Sequence, residues 1–252
     1  MDSGRRPVTI VTGAARGIGA ATAVRLARDG HDVAVNFRRD EDAAQRVVEA
    51  AEEEGARAIA VRADVTSSDD VERLFAITQD ELGPVTGLVN NAGATVHMGD
   101  LADTPVEVVR TVVEVNLLGV LWCARRAAQV MSSRRGGAGG AIVNVSSAAA
   151  TLGSAHEYVH YAAAKAGVDA LTIGLSKELA AEGIRVNAVA PGVIRTEIHS
   201  AAGDPDRADR AAARIPLGRP GEAHEIAAAI AWLLCPDASY VTGAILRVAG
   251  GL

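Results

Sequence analysis

Short apolar runs rich in Val, Ile and Ala alternate with longer helical patterns along the whole chain. The runs that predict strands lie at residues 8–11, 32–36, 58–62, 87–89, 141–145, 185–189 and 244–248. The helical patterns between them lie at about 18–29, 41–54, 68–82, 105–133, 158–182 and 222–234. Alternation of this length requires βαβ crossovers, because parallel neighbours cannot be joined by a tight turn. The pattern therefore predicts the α/β class, with a parallel sheet covered by helices on both faces.

The chain has 252 residues, which is enough for one large α/β domain, and no long linker divides it. The least regular stretch, at about residues 191–221, is rich in Pro, Gly, Asp and Arg. A long irregular segment inside a compact domain is usually a functional loop. We therefore expect a single domain over residues 1–252, with a substrate loop at about 191–221.

Charge and hydropathy exclude several classes of partner. The net charge is −6 with both signs scattered, and a chain without a basic face is not expected to bind nucleic acid. No apolar run approaches membrane-spanning length, and no apolar region follows the arginines near the N-terminus. The two cysteines, Cys123 and Cys235, lie in apolar helical stretches, which indicates buried thiols in a reducing compartment. These observations predict a cytoplasmic protein with no membrane partner.

Three glycines, Gly13, Gly17 and Gly19, follow the first predicted strand and lead into a helical pattern. Small residues at such a turn allow unusual backbone angles and let a pyrophosphate approach the N–H groups at the helix N-terminus. The spacing is G-x-x-x-G-x-G and not the commoner G-x-G-x-x-G, so the alternative is a plain strand-to-helix turn. The position at the start of a βαβ unit favours a dinucleotide-binding turn.

Arginines stand at the end of the second predicted strand, where NAD-binding folds commonly carry an acidic residue. The chain reads Asn36-Phe37-Arg38-Arg39 there, and Arg16 projects from the glycine turn. A guanidinium fork matches the oxygens of a phosphate, which favours the 2′-phosphate of NADP(H). The alternative is that Arg38 and Arg39 are solvated loop charges. We expect NADP(H) as the preferred cofactor, with NAD(H) as the alternative.

A tyrosine and a lysine, Tyr161 and Lys165, stand four residues apart in a helical pattern. Four residues make one helical turn, so the two side chains lie on one face and can meet. An ammonium group beside a phenol lowers the pKa of the phenol, which makes it a candidate proton donor and acceptor. The spacing therefore predicts an acid–base site.

Further motifs follow in order along the chain. They are Asp64-Val65, Asn90-Asn91-Ala92-Gly93, Asn116, Ser146-Ser147 and Pro191-Gly192. Together with the glycine turn and the Tyr–Lys pair, this set resembles the short-chain dehydrogenase/reductase family over about residues 7–251. The segment from Ser146 to His199 is similar to poorly characterised bacterial oxidoreductases of that family. The resemblance implies one doubly wound Rossmann-like domain with seven parallel strands in the order 3-2-1-4-5-6-7.

The resemblance also implies catalytic roles. Tyr161 would be the general acid in carbonyl reduction and the base in alcohol oxidation. Lys165 would lower the pKa of that phenol and hold the ribose of the nicotinamide. Ser147 would orient the substrate oxygen, with Ser146 as the alternative, because the family's serine stands about 13 residues before the tyrosine and Ser147 stands 14 before it. Asn116 would hold a water that links the lysine to solvent.

The same resemblance implies contacts along the cofactor. Asp64 would meet the adenine, Asn90 the adjacent ribose and Thr196 the carboxamide of the nicotinamide. The full set expected to bind the cofactor is Gly13, Arg16, Gly17, Ile18, Gly19, Asn36, Arg38, Asp64, Val65, Asn90, Ala92, Gly93, Tyr161, Lys165, Pro191, Gly192, Ile194 and Thr196. No metal site is expected, since hydride transfer needs no metal and the candidate histidines are scattered. Those histidines are His97, His156, His160 and His199.

These residues predict an NADP(H)-dependent oxidoreductase that acts on a ketone or a secondary alcohol. One alternative is an NAD-dependent sugar dehydrogenase on the same scaffold. Another is a regulator that binds NADP without catalysis, which would not need the tyrosine. The family usually forms dimers or tetramers, so we expect a homo-oligomer, either a dimer or a homotetramer.

Overall fold

Seven strands form one parallel sheet in the computed structural model, which describes residues 6–197 and 207–252. The strands are β1 (Val8–Val11), β2 (Asp32–Phe37), β3 (Ala58–Arg62), β4 (Val85–Asn90), β5 (Gly140–Val145), β6 (Ile184–Pro191) and β9 (Ile245–Val248). Their order is β3-β2-β1-β4-β5-β6-β9. Two short strands, β7 (Ile194–Arg195) and β8 (Gly221–Glu222), pair only with each other within the described residues. The predicted fold class and the order 3-2-1-4-5-6-7 are confirmed, with β9 as the seventh strand of the sheet.

Helices connect the strands. They are α1 (Gly17–Arg28), α2 (Glu41–Glu53), α3 (Ser68–Glu81), α4 (Val106–Val113), α5 (Gly119–Met131), α6 (Ala149–Leu152), α7 (Val159–Leu179), α8 (Arg207–Ala211) and α9 (Ala223–Leu234). Side-chain caps define where two of them begin, since Asp40 accepts a hydrogen bond from Ala43 N at 3.0 Å and Ser67 accepts one from Asp70 N at 3.3 Å. The predicted helix at 105–133 differs from the structure, because a π-helical turn, Glu114–Leu118, separates α4 from α5.

Each face of the sheet has its own apolar cluster. Successive residues of a strand point to opposite faces, so Val33 and Val35 belong to one cluster and Ala34 to the other. The first cluster includes residues of α1, α2 and α9, and the second includes residues of α3 and α5. Cys123 is buried in the second cluster, and its burial raises the pKa of the thiol to about 12. Among the described helices, none is both long and apolar enough to cross a membrane.

The strand order reverses between β1 and β4, which lie side by side in the middle of the sheet. In open α/β sheets, ligands bind in the crevice that such a reversal leaves at the carboxyl ends of the strands. The glycine turn follows β1, the asparagines end β4, and the serine pair follows β5. The fold therefore brings the predicted motifs to one edge of the sheet.

Candidate active site

A cavity of about 1130 Å³ opens at this edge. Most of the predicted cofactor and catalytic residues line it, namely Gly13, Arg16, Gly17, Ile18, Asn36, Arg38, Asp64, Val65, Ala92, Gly93, Ser147, Tyr161, Lys165, Pro191, Gly192, Ile194 and Thr196. Gly19, Asn90 and Asn116 do not reach its surface. A single cavity therefore joins the glycine turn to the Tyr–Lys pair.

The glycine turn needs its glycines for two different reasons. Gly13 has φ +60°, and a Cβ atom added to it would lie 2.9 Å from Ala92 Cα. A Cβ atom on Gly19 would lie 2.6 Å from Gly13 O, so this residue allows close packing inside the turn. At the start of α1, Arg16 makes no side-chain cap and the first turn has no acidic residue. The N–H groups at this helix end therefore suit an anion such as a pyrophosphate.

Thr12 and Asn91, to which the sequence assigned no role of their own, hold the turn in place. Thr12 Oγ1 accepts hydrogen bonds from Asn91 N at 2.9 Å and Ala92 N at 3.0 Å. Asn91 Nδ2 donates to Thr12 O at 2.9 Å and to Gly13 O at 3.0 Å. These four hydrogen bonds connect the segment after β4 to the turn after β1. The sequence signal for Asn91 is its place in the Asn90-Asn91-Ala92-Gly93 motif, directly after a strand that neighbours β1.

Asn36, at the end of β2, supports the same turn from inside the protein. Its side chain is buried, and its Oδ1 accepts a hydrogen bond from Gly13 N at 3.2 Å. Its Nδ2 donates to Val61 O at 3.2 Å and to Ala63 O at 3.0 Å. Because both the oxygen and the nitrogen of its amide form hydrogen bonds, Asn36 fixes the shape of the turn on which a cofactor would lie.

Arginines gather at the other end of the cavity, Arg38 and Arg39 from the sequence prediction among them. Arg38 Nε lies 3.1 Å from Asp64 Oδ2, and about half of the Arg38 side chain is exposed. Asp64 also accepts hydrogen bonds from Thr66 N at 3.0 Å and Thr66 Oγ1 at 2.8 Å. A smaller cavity of about 270 Å³ adjoins this pair. It is lined by Arg38, Arg39, Arg62, Asp64, Asp70 and Arg73. Four guanidinium groups against two carboxylates leave this end positive, which suits a phosphate.

Tyr161 and Lys165 lie in the first two turns of α7 and are both buried. The Lys165 ammonium lies 5.6 Å from the centre of the Tyr161 ring and donates to Val145 O at 2.7 Å. Burial lowers the pKa of Lys165 to about 8, and the carboxylate of Asp169 partly offsets this effect. The ring of Tyr158 packs edge-on against Tyr161 with 5.3 Å between ring centres. The phenol is therefore held between a second aromatic ring and an ammonium group.

Asn116 lies in the π-helical turn, and its side chain is buried. Its Nδ2 donates to Ala94 O at 2.7 Å and to Val112 O at 2.8 Å, and its Oδ1 accepts from Ala94 N at 3.3 Å. A Cβ atom on Gly93 would lie 2.9 Å from Asn116 Oδ1 and 3.7 Å from Lys165 Nζ. Gly93 therefore lies between the Asn116 side chain and the lysine. Such π turns occur frequently at functional sites.

The two serines after β5 differ in their surroundings. Ser146 is buried, and its Oγ donates to the backbone oxygen of Lys165 at 3.3 Å. Both serines line the cavity, but Ser147 is only half-buried, and its Oγ accepts a hydrogen bond from Ala149 N at 3.1 Å. Accepting this bond leaves the hydroxyl proton of Ser147 available for a substrate oxygen. The geometry is compatible with the choice of Ser147.

The remaining predicted residues lie in different places. Asn90 Nδ2 donates to Asn144 Oδ1 at 2.9 Å inside the sheet, so any contact of Asn90 with a cofactor would come from its backbone. Thr196 lies over the glycine turn, since its Cγ2 is 3.4 Å from the position of a Cβ atom on Gly17. Residues 198–206 of the predicted substrate loop, and with them His199, lie outside the described residues. Within the described residues, no three His, Cys, Asp or Glu side chains are grouped to hold a metal ion.

The doubly wound sheet, the glycine turn and the cavity between them define a dinucleotide-binding α/β protein. A family model described as enoyl-(acyl carrier protein) reductase matches residues 13–252. The chain is 46% identical over 244 residues to the uncharacterized oxidoreductase YgfF of Escherichia coli (strain K12), covering 97% of this chain and 99% of that protein. It is 41% identical over 245 residues to 3beta-hydroxysteroid dehydrogenase 1 of Eggerthella lenta, covering 96% of this chain and 92% of that protein.

Solved structures agree with these relatives. The crystal structure of a short chain dehydrogenase from Burkholderia cenocepacia J2315 in complex with NADP matches with a TM-score of 0.88 at 34% identity. The match covers 98% of this chain and 97% of that chain. The chain belongs to the short-chain dehydrogenase/reductase family of oxidoreductases, so the resemblance seen in its motifs is confirmed.

Proposed function

We propose that this protein transfers hydride between NADP(H) and a ketone or secondary alcohol, with Tyr161 as the general acid and base. The observation that carries the proposal is the burial of Tyr161 and Lys165 side by side on the wall of the cavity that also holds the glycine turn. A regulator that only binds NADP has no need of a buried phenol beside an ammonium group. The pair therefore favours catalysis over binding alone.

The nicotinamide of the bound cofactor would supply or accept the hydride. In the reducing direction Tyr161 donates its hydroxyl proton to the carbonyl oxygen, and in the oxidising direction it takes a proton from the alcohol. The Lys165 ammonium, whose pKa is about 8, remains largely charged at neutral pH and stabilises the phenolate. Ser147 orients the substrate oxygen with its hydroxyl proton. Asn116 holds the backbone of Ala94 behind Gly93 and so shapes the wall beside the lysine.

The turn of Gly13 and Gly17 would cradle the pyrophosphate, and Arg38 with Arg16 would bind the 2′-phosphate. Arg38 is half exposed and tied to one carboxylate, so a doubly charged phosphate can compete with Asp64 for it. The NADP complex of the Burkholderia cenocepacia relative supports a nicotinamide cofactor for this fold. A carboxylate in place of the arginines would instead favour NAD(H).

The substrate end of the cavity is lined in part by the segment that the sequence predicted as a substrate loop. Ala211 and Arg214 reach the cavity, and Arg214 Nη2 lies 4.0 Å from Glu157 Oε1. These contacts support a single domain in which residues 191–221 shape the choice of substrate. The name of the Eggerthella lenta relative makes a hydroxysteroid one reasonable compound to test.

We further propose that the protein is a cytoplasmic homo-oligomer, either a dimer or a tetramer. Exposed apolar side chains on α4 and α7, Val106 and Ile173, support contacts between copies. Light scattering measures the molar mass directly. A molar mass of 25.8 kDa, that of one chain, would contradict this part of the proposal.

The experiment that tests the function follows the absorbance of NADPH and NADH with a panel of ketones, sugars, acyl thioesters and a 3-ketosteroid. We expect a ketone to consume NADPH with a kcat/KM at least about ten-fold above that with NADH. Binding of NADPH without turnover of any substrate would favour the regulator. Turnover of a sugar with NAD alone would favour the sugar dehydrogenase.

A further inference from the structure

A carboxyl group lies directly behind the acid–base pair. Asp169 follows Lys165 by one helical turn on α7, so the two side chains share a face of the helix. The Asp169 side chain is half-buried and does not line the cavity. Its Oδ1 is buried and has no hydrogen-bond partner within residues 6–197 and 207–252. A buried carboxyl oxygen is costly unless a nearby charge or proton compensates for it, so this group needs an explanation.

Ser146 connects Asp169 to the lysine. The Ser146 hydroxyl donates to the backbone oxygen of Lys165 at 3.3 Å, and its interaction with the Asp169 carboxyl group lowers the pKa of Asp169. A hydroxyl group carries a single proton, so these two acceptors compete for it when Asp169 is ionised. A protonated Asp169 would instead donate to Ser146. The hydrogen bonds around the start of α7 therefore depend on the charge of Asp169.

We propose that Asp169 is a positioning residue for the acid–base pair: its carboxylate is the counter-charge that keeps the buried Lys165 ammonium protonated beside Tyr161. The inference rests on the proposed function, since it assigns Asp169 a role that is exerted through Lys165. Asp169 does not line the cavity and would act through Lys165, so it is not a catalytic residue. Both serines line the cavity, and the hydrogen bond of Ser146 to the Lys165 backbone gives it a structural part beside the proposed role of Ser147.

The charges around Asp169 support this assignment. Lys165 precedes it by one turn of the same helix, and the charges that act on it are those of Lys165 and of Arg247 on β9, together with the Ser146 hydroxyl after β5. The pKa of Asp169 is raised, because burial outweighs the interaction with Ser146 and the charges of Lys165 and Arg247 that lower it. Burial lowers the pKa of Lys165 to about 8, and Asp169 is the charge that raises it again. Without the carboxylate, the pKa of Lys165 falls further, and a neutral amine cannot stabilise a phenolate.

The experiment measures the ionisation of Lys165 itself by NMR. The chain has two lysines, Lys165 and Lys177, so protein labelled with ¹³C at lysine Cε gives two signals. Lys177 is exposed and serves as the internal reference, and Lys177→Arg assigns the signals. In the wild-type protein we expect Lys165 to titrate near pH 8. In Asp169→Asn we expect this midpoint to fall by about one pH unit while Lys177 stays unchanged.

Matched variants separate charge from packing. Asp80→Asn removes the same charge from an exposed position on α3 and is expected to leave the Lys165 midpoint unchanged. Ser146→Ala keeps the Asp169 carboxylate. The Lys165 midpoint in this variant should therefore move by less than half of its shift in Asp169→Asn. Asp169→Ser removes the charge with a smaller side chain and must give the same downward shift, which covers the case that Asp169→Asn does not fold.

Activity provides a second and separate measurement. In Asp169→Asn we expect kcat to fall roughly ten-fold at neutral pH with little change in the KM for NADPH, because the phenolate loses its neighbouring charge. A Lys165 midpoint equal to that of the wild type would overturn the inference, whatever the activity. A shifted midpoint in a protein that turns over no substrate would support the counter-charge and overturn only the proposed function.

Discussion

The two ends of the cavity hold their charges in different ways. At the catalytic end Lys165 is buried and donates to Val145 O at 2.7 Å. At the phosphate end Arg38 is half exposed and pairs with the partly exposed Asp64. A buried charge acts strongly because little solvent screens it, whereas an exposed pair contributes about 0–1 kcal/mol and weakens with salt. The rate of catalysis should therefore depend steeply on single atoms, whereas the preference for NADPH over NADH should change only modestly when one residue is replaced.

The largest effect is expected at the buried end, in Lys165→Met. The change removes the ammonium group but keeps a long apolar side chain, so kcat/KM should fall roughly 10²–10⁴-fold. Steady-state kinetics of NADPH oxidation checks this. Lys177→Met, on the exposed side of the same helix, is the matched control and should stay within about two-fold of wild type. A fall in kcat/KM of less than about ten-fold in Lys165→Met would contradict the expected difference between the two ends of the cavity.

The next largest effect concerns the turn that joins the two ends. In Gly13→Ala the new Cβ atom would meet Ala92 Cα at 2.9 Å at a φ of +60°. We expect the free energy of unfolding to fall by about 2 kcal/mol or more, together with a loss of NADPH affinity. Chemical denaturation and fluorescence titration measure the two quantities. Gly30→Ala has φ +95° with nothing within 4 Å of the new atom, so it isolates the backbone cost, expected at about 1 kcal/mol.

A smaller effect is expected at the phosphate end. Arg38→Gln should weaken NADPH binding by about ten-fold, because a charge-assisted hydrogen bond to the 2′-phosphate is lost. NADH lacks this phosphate and serves as the control ligand in the same titration. Raising the salt concentration should reduce the difference between the two proteins. Equal losses for NADPH and NADH would show that Arg38 does not discriminate between the cofactors.

The smallest effect is the dependence of stability on pH. The pKa of Lys165 in the folded protein is about 8, below its ordinary value of 10.5, so the unfolded chain binds more protons between these values. Stability from this residue should therefore rise with pH, by less than about 1 kcal/mol between about pH 7 and pH 8.5. Denaturation curves of the wild type and Lys165→Met at several pH values measure the difference. If the free energy of unfolding changed with pH in the same way in both proteins, the ammonium group would not be desolvated.

Much of the fold could be predicted because parallel strands buried on both faces are nearly continuous apolar runs. The predicted ranges 8–11 and 58–62 agree with β1 and β3 residue for residue. The π-helical turn could not be predicted. The periodicity over 105–133 indicates one regular helix, but the wide turn contains Asn116, whose partner Ala94 is 22 residues away in sequence. Contacts of that kind leave no trace in local patterns.

Within the site, sequence position indicates that a residue ends a strand but not where its side chain points. Asn36 and Asn90 were both expected to bind the cofactor. Asn36 lines the cavity and accepts a hydrogen bond from Gly13 N, whereas the Asn90 amide donates to Asn144 Oδ1 inside the sheet. Arg38 and Asp64 were expected to contact the cofactor separately, and they form an ion pair with each other. Their proximity follows from the pairing of β2 with β3, which depends on the whole sheet. The Tyr–Lys pair was predictable because one helical turn determines it locally.

The most direct test of the central claim is a comparison of Tyr161→Phe with the wild type, measuring NADPH binding and ketone reduction in the same preparation. We predict that the Kd for NADPH changes less than about three-fold while kcat falls roughly 10²–10⁴-fold, because only the transferred proton is lost. Tyr240→Phe, a fully exposed tyrosine, should match the wild type in both quantities. Turnover by Tyr161→Phe at the wild-type rate would contradict the account.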